Sequence, residues 1–354
     1  MTRSAPIGHF SFAILLKGEA KMTLGRLFIL VLMTVLTGLT FPASNASGAA
    51  PVRPSIRFIR QGKITYLYLR DVAAYYGMRY AVSGKTATFT SVYSRLMFTL
   101  DSRVMTLSGV RVHLAFAISR QGTEYLLSIS DFQLLIDPIL RSTALPRRTI
   151  RKIVLDPGHG GKDVGTTAGG VFEKTLNLQI AARLATKLRQ RGYTVVTTRS
   201  SDTAVSLAQR SNIANKWGAD LFISLHCNAA DASVSGIEIF SATWHGTPPT
   251  GDKVLAKERC PANAFDRENA YLTYTTQKAL LDATNATDRG IKRRRFSVIR
   301  NITCPGMLIE MGFISNQAER QLLQQANRQD AIAHAIADAV DKFRIALAPK
   351  PTRR

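Results

Sequence analysis

The stretch Ile153-Val-Leu-Asp-Pro-Gly-His-Gly-Gly161 leaves a chain few ways to fold. Three apolar β-formers run into an acidic-Pro-Gly turn, so a buried strand must end there. A histidine stands at the tip, and the glycines around it let the backbone approach whatever the imidazole binds. Two later strands close in a similar way: Leu221-Phe-Ile-Ser-Leu225 runs into His226, and Met307-Leu-Ile309 runs into Glu310. An imidazole or carboxylate at the end of a buried run costs desolvation energy unless it has a use. From Ile150 onward strands and helices alternate. That order predicts an α/β fold, a mostly parallel twisted sheet with helices on both faces. Ligands of such sheets gather at the carboxyl ends of the strands.

Glu173, fourteen positions after His159, opens a strongly helical run. Two histidines and a glutamate are a known catalytic zinc set with one position left open to water. His159, Glu173 and His226 are therefore the candidate ligands of one zinc per chain, and Glu310 is the candidate general base. Singly, each has a plainer use: Glu173 at a helix N-terminus, His226 as a core imidazole, Glu310 paired with Arg289 or Lys292. Asp156 is a candidate support for a ligand histidine or a turn cap, while Asp163 and Glu238 read as structural. Asn228 and Arg289 are candidate substrate contacts.

These residues lie in segments that resemble the zinc-dependent N-acetylmuramoyl-L-alanine amidases of bacterial cell-wall turnover. The segments are Leu155–Gly161, Glu173–Leu178, Thr198-Arg199 with Asp202, Leu207 and Arg210, Ala219–Asn228, Asp288–Lys292 and Ile309–Asn316. They occur in the family's order over nearly all of residues 151–345. The resemblance implies a peptidoglycan amidase that cleaves the bond between N-acetylmuramic acid and L-Ala of the stem peptide with zinc-activated water. Spacing alone gives only a zinc amide hydrolase. A carboxypeptidase on wall peptides therefore stays open, with Arg199, Arg210 or Arg289 for the terminal carboxylate. A non-catalytic wall-binding protein would lack one of the four polar positions, and none is missing.

Residues 27–41 form an uncharged apolar run after Lys17, Lys21 and Arg26, followed by small residues up to Ala46. This is the three-part export signal, shorter than the roughly 20 residues of a membrane span. Residues 1–46 are thus expected to be a signal peptide, with Met22 an alternative start. The expected destination is the periplasm, the cell envelope or the exterior, without stable membrane insertion after cleavage. Residues 47–55 read as a linker and residues 56–145 as a small α+β accessory domain. That order is loosely similar to the amine-oxidase N-terminal-like modules, which implies an anionic wall polymer or a wall protein as its partner. His113 reads as structural. The catalytic domain spans residues 151–347, and a basic tail covers residues 348–354. Within the catalytic domain the pattern predicts a strand at Phe296–Ile299 and an Asp202 N-cap for the helix through Leu207 and Ile213. It also predicts a last helix from Asn316 to Leu347, broken near Asn327.

The formal net charge of +23 is spread along the chain: residues 51–150 carry 14 Lys and Arg against 5 Asp and Glu, and residues 151–354 carry 29 against 18. Such a surface suits polyanions. No nucleic-acid-reading motif accompanies it, so nucleic acid is not an expected partner. Cys227, Cys260 and Cys304 are an odd number, which excludes a fully paired framework.

Overall fold

The computed structural model describes residues 55–349 and, ahead of them, the backbone strand Gly8–Phe10. The apolar run 27–41, and with it the expected signal peptide, lies outside the described residues.

Short alternating segments dominate the first part of the chain. Strands β1 (Ile56–Gln61) and β2 (Ile64–Tyr68) lead into helix α1 (Leu69–Tyr75). A meander follows: β3 (Arg79–Ser83), β4 (Thr86–Thr90), β5 (Arg95–Thr99), β6 (Val104–Leu107) and β7 (Val110–His113). Strands β8 (Ser119–Gln121) and β9 (Glu124–Ser128) join β1 and β2 in a small antiparallel sheet, and residues 129–140 are helical. In the meander, period-two alternation buries Ala87, Phe89, Leu96, Phe98, Met105, Leu107, Val110 and Val112 on one face. The residues between them form a solvated face.

The second part alternates as expected. Strand β10 (Lys152–Pro157) precedes helix α2 (Glu173–Gln190), β11 (Thr194–Thr197) and helix α3 (Leu207–Trp217). Then come β12 (Leu221–Asn228), β13 (Ile237–Ala242), helix α4 (Asp266–Thr284) and β14 (Asp288–Arg294). A helical turn α5 (Ser297–Arg300), β15 (Gly306–Phe313), α6 (Gln317–Leu323) and α7 (Ala326–Leu347) complete the chain. Leu176, Ile180, Leu184 and Leu188 of α2 pack with α4 and α7 on one face of the sheet. Ala214 of α3 and Val298 and Ile299 of α5 cover the other.

Both parts share one eleven-stranded sheet of order β11-β10-β12-β15-β13-β14-β7-β6-β5-β4-β3. Strands β11, β10, β12 and β15 are mutually parallel, and β13 runs antiparallel to β15. The meander joins where β14 meets β7, with Ile291 opposite Val112. Trp244, Ala270 and Ile291 belong to the same buried cluster as the meander's apolar face. The residues between the expected accessory and catalytic ranges therefore connect two parts of one sheet.

Two local expectations need correction. Phe296–Ile299 is not a strand: consecutive Val298 and Ile299 are both buried, which a helical turn allows and strand alternation does not. The strand at this level is β14, whose charged Arg-Gly-Ile-Lys run hid its character. The N-cap of α3 is Ser206, in a reciprocal capping box with Gln209, and not Asp202. The last helical stretch breaks near Asn327 as expected, at Gln324-Gln325.

Candidate metal centre and active site

The turn after β10 is held from beneath by buried charge. Asp156 is fully buried and accepts hydrogen bonds from Thr198 Oγ1 (2.6 Å), Arg210 Nη1 (2.7 Å) and Ser224 Oγ (2.8 Å). Arg210 also donates to the carbonyls of Pro157 and His159, at 2.8 and 2.9 Å. Arg199 donates to those of Pro157, Gly158 and Lys174, at 3.0, 2.9 and 2.8 Å. Two guanidiniums thus fix a turn whose tip residue, His159, adopts a left-handed conformation at φ 61°. Asp202 contributes from outside, accepting from the Gly161 amide at 2.8 Å and from Lys174 Nζ at 2.6 Å.

Glu173 begins α2 and is buried. Its Oε1 lies 3.0 Å from His226 Nδ1 and accepts from the Cys227 amide at 3.1 Å. Its Oε2 lies 3.2 Å from His159 Nε2 and accepts from the Thr166 amide at 2.9 Å. One ligand atom from each of His159, Glu173 and His226 falls within 4.8 Å of the others. The two imidazoles stand nearly perpendicular, at 81°, with centroids 5.0 Å apart. Burial works against the charge on Glu173, but the hydrogen bonds from the two histidines prevail and hold it well below the usual carboxylate range. Asp163, and not Asp156, supports a candidate ligand histidine: its Oδ1 lies 2.9 Å from His159 Nδ1. Its place four residues after His159 in a glycine-rich turn was the available signal.

Glu310 enters from β15, paired directly with His226 of β12. Its Oε2 is buried and has no hydrogen-bond partner. Burial pushes its pKa up to about 7, with Glu173 and Glu238 adding and the two imidazoles opposing. Neither Arg289 nor Lys292 pairs with it. Both turn to Glu238, as does Asn228, whose Nδ2 donates to Glu238 Oε1 at 2.8 Å. The structure thus brings together His159, Glu173, His226 and Glu310, and places Asn228 and Arg289 on Glu238, outside the lining of the cleft.

That cleft has a volume of about 710 Å³, and His159, His226 and Glu310 all line it. Ala204, Val205 and Leu207 supply apolar surface from one segment, Phe296 and Val298 from a second, and Leu308 from β15. Little periodicity in the sequence marks these residues, because Ala204, Val205 and Phe296 come from irregular chain and Leu207 and Val298 from the first residues of helices. Cys227, Cys260 and Cys304 are free thiols. Cys227 is buried and faces away from the cleft, among core residues.

Fold and site together define an α/β protein with a His–Glu–His donor cluster at the ends of parallel strands and a solitary carboxylate beside it. A family profile described as N-acetylmuramoyl-L-alanine amidase matches residues 153–342, and the chain belongs to that family. The sporulation-specific N-acetylmuramoyl-L-alanine amidase of Bacillus subtilis is 34% identical over 195 residues, covering 54% of this chain and 67% of that protein. The N-acetylmuramoyl-L-alanine amidase AmiA of Escherichia coli is 31% identical over 219 residues, covering 54% and 76%. Among solved structures, an N-acetylmuramoyl-L-alanine amidase from Clostridium difficile covers 55% of this chain and 97% of its own, at 32% identity and a TM-score of 0.47.

Proposed function

We propose that this chain is a zinc-dependent peptidoglycan amidase, hydrolysing the bond between the lactyl group of N-acetylmuramic acid and L-Ala of the stem peptide. The observation that carries this reading is the buried, unpartnered Oε2 of Glu310 beside three convergent donors. Two neutral imidazoles and a carboxylate suit zinc in number and type. The backbone is also shaped around them: a Cβ on Gly158 would meet His226 at 2.2 Å, and one on Gly165 would meet Glu173 Oε2 at 2.6 Å.

His159, Glu173 and His226 would hold the ion, which supplies Lewis acidity that makes water nucleophilic near neutral pH. Asp163 fixes the His159 tautomer by accepting from Nδ1, leaving Nε2 free to ligate. Glu310 accepts the proton of the attacking water and returns it to the departing nitrogen of L-Ala, which is a very poor leaving group as an anion. Its burial suits the task, because a base with a raised pKa also returns the proton readily. Leu207 and Phe296 give the cleft apolar flanks beside the reacting carbonyl.

A carboxypeptidase needs a free guanidinium for the terminal carboxylate, and Arg199, Arg210 and Arg289 are already engaged. The deciding experiment measures zinc content and treats purified peptidoglycan with the protein. New amino groups on L-Ala support the amidase; released C-terminal residues would replace it with a carboxypeptidase. Export is part of the proposal, supported by the basic-then-apolar pattern before Ala46.

A further inference from the structure

Asn177 lies four residues after Glu173 on α2, on the buried face of that helix. Its neighbours Leu176, Ile180 and Ala181 join the apolar core, yet Asn177 is polar and fully buried. Its Nδ2 donates to Glu173 Oε1 at 3.2 Å. At 3.4 Å it also meets the carbonyl of Gly158, in the turn that carries His159. One side chain thus ties the helix of Glu173 to the turn of His159. Its Oδ1 is buried and has no hydrogen-bond partner.

Stability does not explain this residue. Both acceptors it serves have a second donor: Glu173 Oε1 accepts from the Cys227 amide at 3.1 Å, and the Gly158 carbonyl from Arg199 Nη2 at 2.9 Å. Neither would be left unsatisfied without Asn177, while its own Oδ1 is an uncompensated cost of burial. An apolar side chain of the same size would remove that cost and extend the core. A local rule broken without a gain in stability points to a task at the neighbouring site. The Glu173 carboxylate stands between two imidazoles, with Oε1 at 3.0 Å from His226 Nδ1 and Oε2 at 3.2 Å from His159 Nε2. Besides the histidines, its donors are the backbone amides of Cys227 and Thr166 and the side chain of Asn177. These three fix how the carboxylate is turned, and only Asn177 can be altered by substitution.

We propose that Asn177 is a positioning residue of the metal centre: it presets the Glu173 carboxylate for the ion and affects hydrolysis only through that carboxylate. The inference rests on the metal-centre reading and extends it from the three donors to the residue that orients one of them. A carboxylate free to rotate loses that freedom on ligation, which weakens binding; one already held does not.

The test removes the amide and keeps the volume. Zinc affinity is measured for the full chain, Asn177→Leu and Leu184→Ala by competition with a chromogenic chelator, beside the melting temperature of each metal-free protein. Leu184 is the control, buried among core residues two turns further along the same helix. Asn177→Leu should melt at or above the parent's temperature without metal, yet bind zinc about tenfold or more weakly. Leu184→Ala should melt lower and bind zinc as the parent does. With cobalt(II) in place of zinc, the visible bands report the ligand arrangement and should move only in Asn177→Leu. Asn177→Met takes its place if the leucine branch prevents folding. Zinc affinity within twofold of the parent's in a folded Asn177 variant, or an equal loss of affinity in Leu184→Ala, overturns the positioning role and leaves the metal centre standing. A parent that binds no zinc would overturn the metal centre, and this inference with it.

Discussion

Glu310 and Glu238 face one another across adjacent antiparallel strands, yet only Glu238 has partners. It is met by Asn228, Lys292 and Arg289, while Oε2 of Glu310 is buried without a donor. A buried acceptor left unsatisfied costs about 1–3 kcal/mol, more if charged. Glu310→Gln should therefore fold at least as stably as the parent and keep its metal. Loss of the base is expected to lower kcat by about 10²–10⁴-fold. The check is release of L-Ala amino groups from peptidoglycan alongside elemental analysis. Parental activity in the variant would remove Glu310 from the mechanism.

The Glu238 carboxylate already raises the pKa of Glu310, and Lys292 neutralises part of that charge. Lys292→Met should leave Glu238 less compensated and raise Glu310 further. The base acts deprotonated, so a higher pKa moves the acidic limb of kcat/KM toward higher pH. The two profiles are compared at equal metal content, and the variant's limb is expected at the higher pH. A pH–rate profile with an unmoved or acid-shifted limb would break this link.

Gly165 and Gly170 both adopt positive φ, 67° and 76°, so alanine at either should cost about 1–2 kcal/mol in backbone strain. Their surroundings differ. A Cβ at Gly170 meets nothing within 4 Å, whereas one at Gly165 presses on Glu173 Oε2 and His159 Cδ2, both at 2.6 Å. Gly165→Ala is expected to lose zinc affinity and activity at least tenfold, beyond its loss of stability, with partial recovery in excess zinc. Gly170→Ala should lose stability only. Equal metal content in the two variants would separate the cluster from metal binding.

Three of the four central residues were legible in the sequence because each broke a local rule, whereas Glu173 suits a helix N-terminus and stood out only beside them. An apolar strand that runs into His226 or Glu310 is costly unless used, and the Asp-Pro-Gly-His turn admits few conformations. What stayed hidden depended on distant pairing. Ile291 meets Val112 across about half of the chain, and no local pattern announces that a meander will extend a sheet built much later. Asp156 and Asp163 were exchanged for the same reason. Which of two nearby carboxylates reaches an imidazole depends on where Arg210, Thr198 and Ser224 arrive from other elements. Phe296 and Leu207 line the cleft from irregular chain and from the start of a helix, where periodicity carries no information.

Asp266, at the start of α4, offers a stability test remote from the metal centre. Burial pushes its pKa up to about 7, well above the usual carboxylate range, although Asn263 donates to both of its oxygens. The folded state therefore holds a proton that the unfolded chain releases near pH 4. Its contribution is intact below that pH and is lost as pH rises toward 7. Asp266→Asn removes the penalty while keeping the shape. The variant should melt higher than the parent at pH 8, by the equivalent of about 1–3 kcal/mol, and at the same temperature at pH 4. An equal gain at both pH values would mean that packing, not ionisation, is responsible.

The join between β14 and β7 decides whether the first part of the chain can be removed. Arg293 is buried at this join, stacked 3.9 Å from the centre of the Trp244 ring and donating to the His113 carbonyl at 2.7 Å. Ile291, Trp244 and Ala270 pack into the meander's core. A fragment beginning at residue 146 would strip the His113 partner from Arg293 and expose Ile291, whose burial alone is worth about 1.5–3 kcal/mol. It would also turn β14 into a bare edge, prone to pairing with other chains. The full chain should unfold in a single transition, and the fragment should melt well below it or aggregate. Val112→Asp in the full chain should lower the melting temperature of the whole unit, since the charge would be buried against Ile291. A soluble fragment with the parent's melting temperature would mean that the shared sheet contributes nothing to the stability of the catalytic part, and that its two parts fold independently.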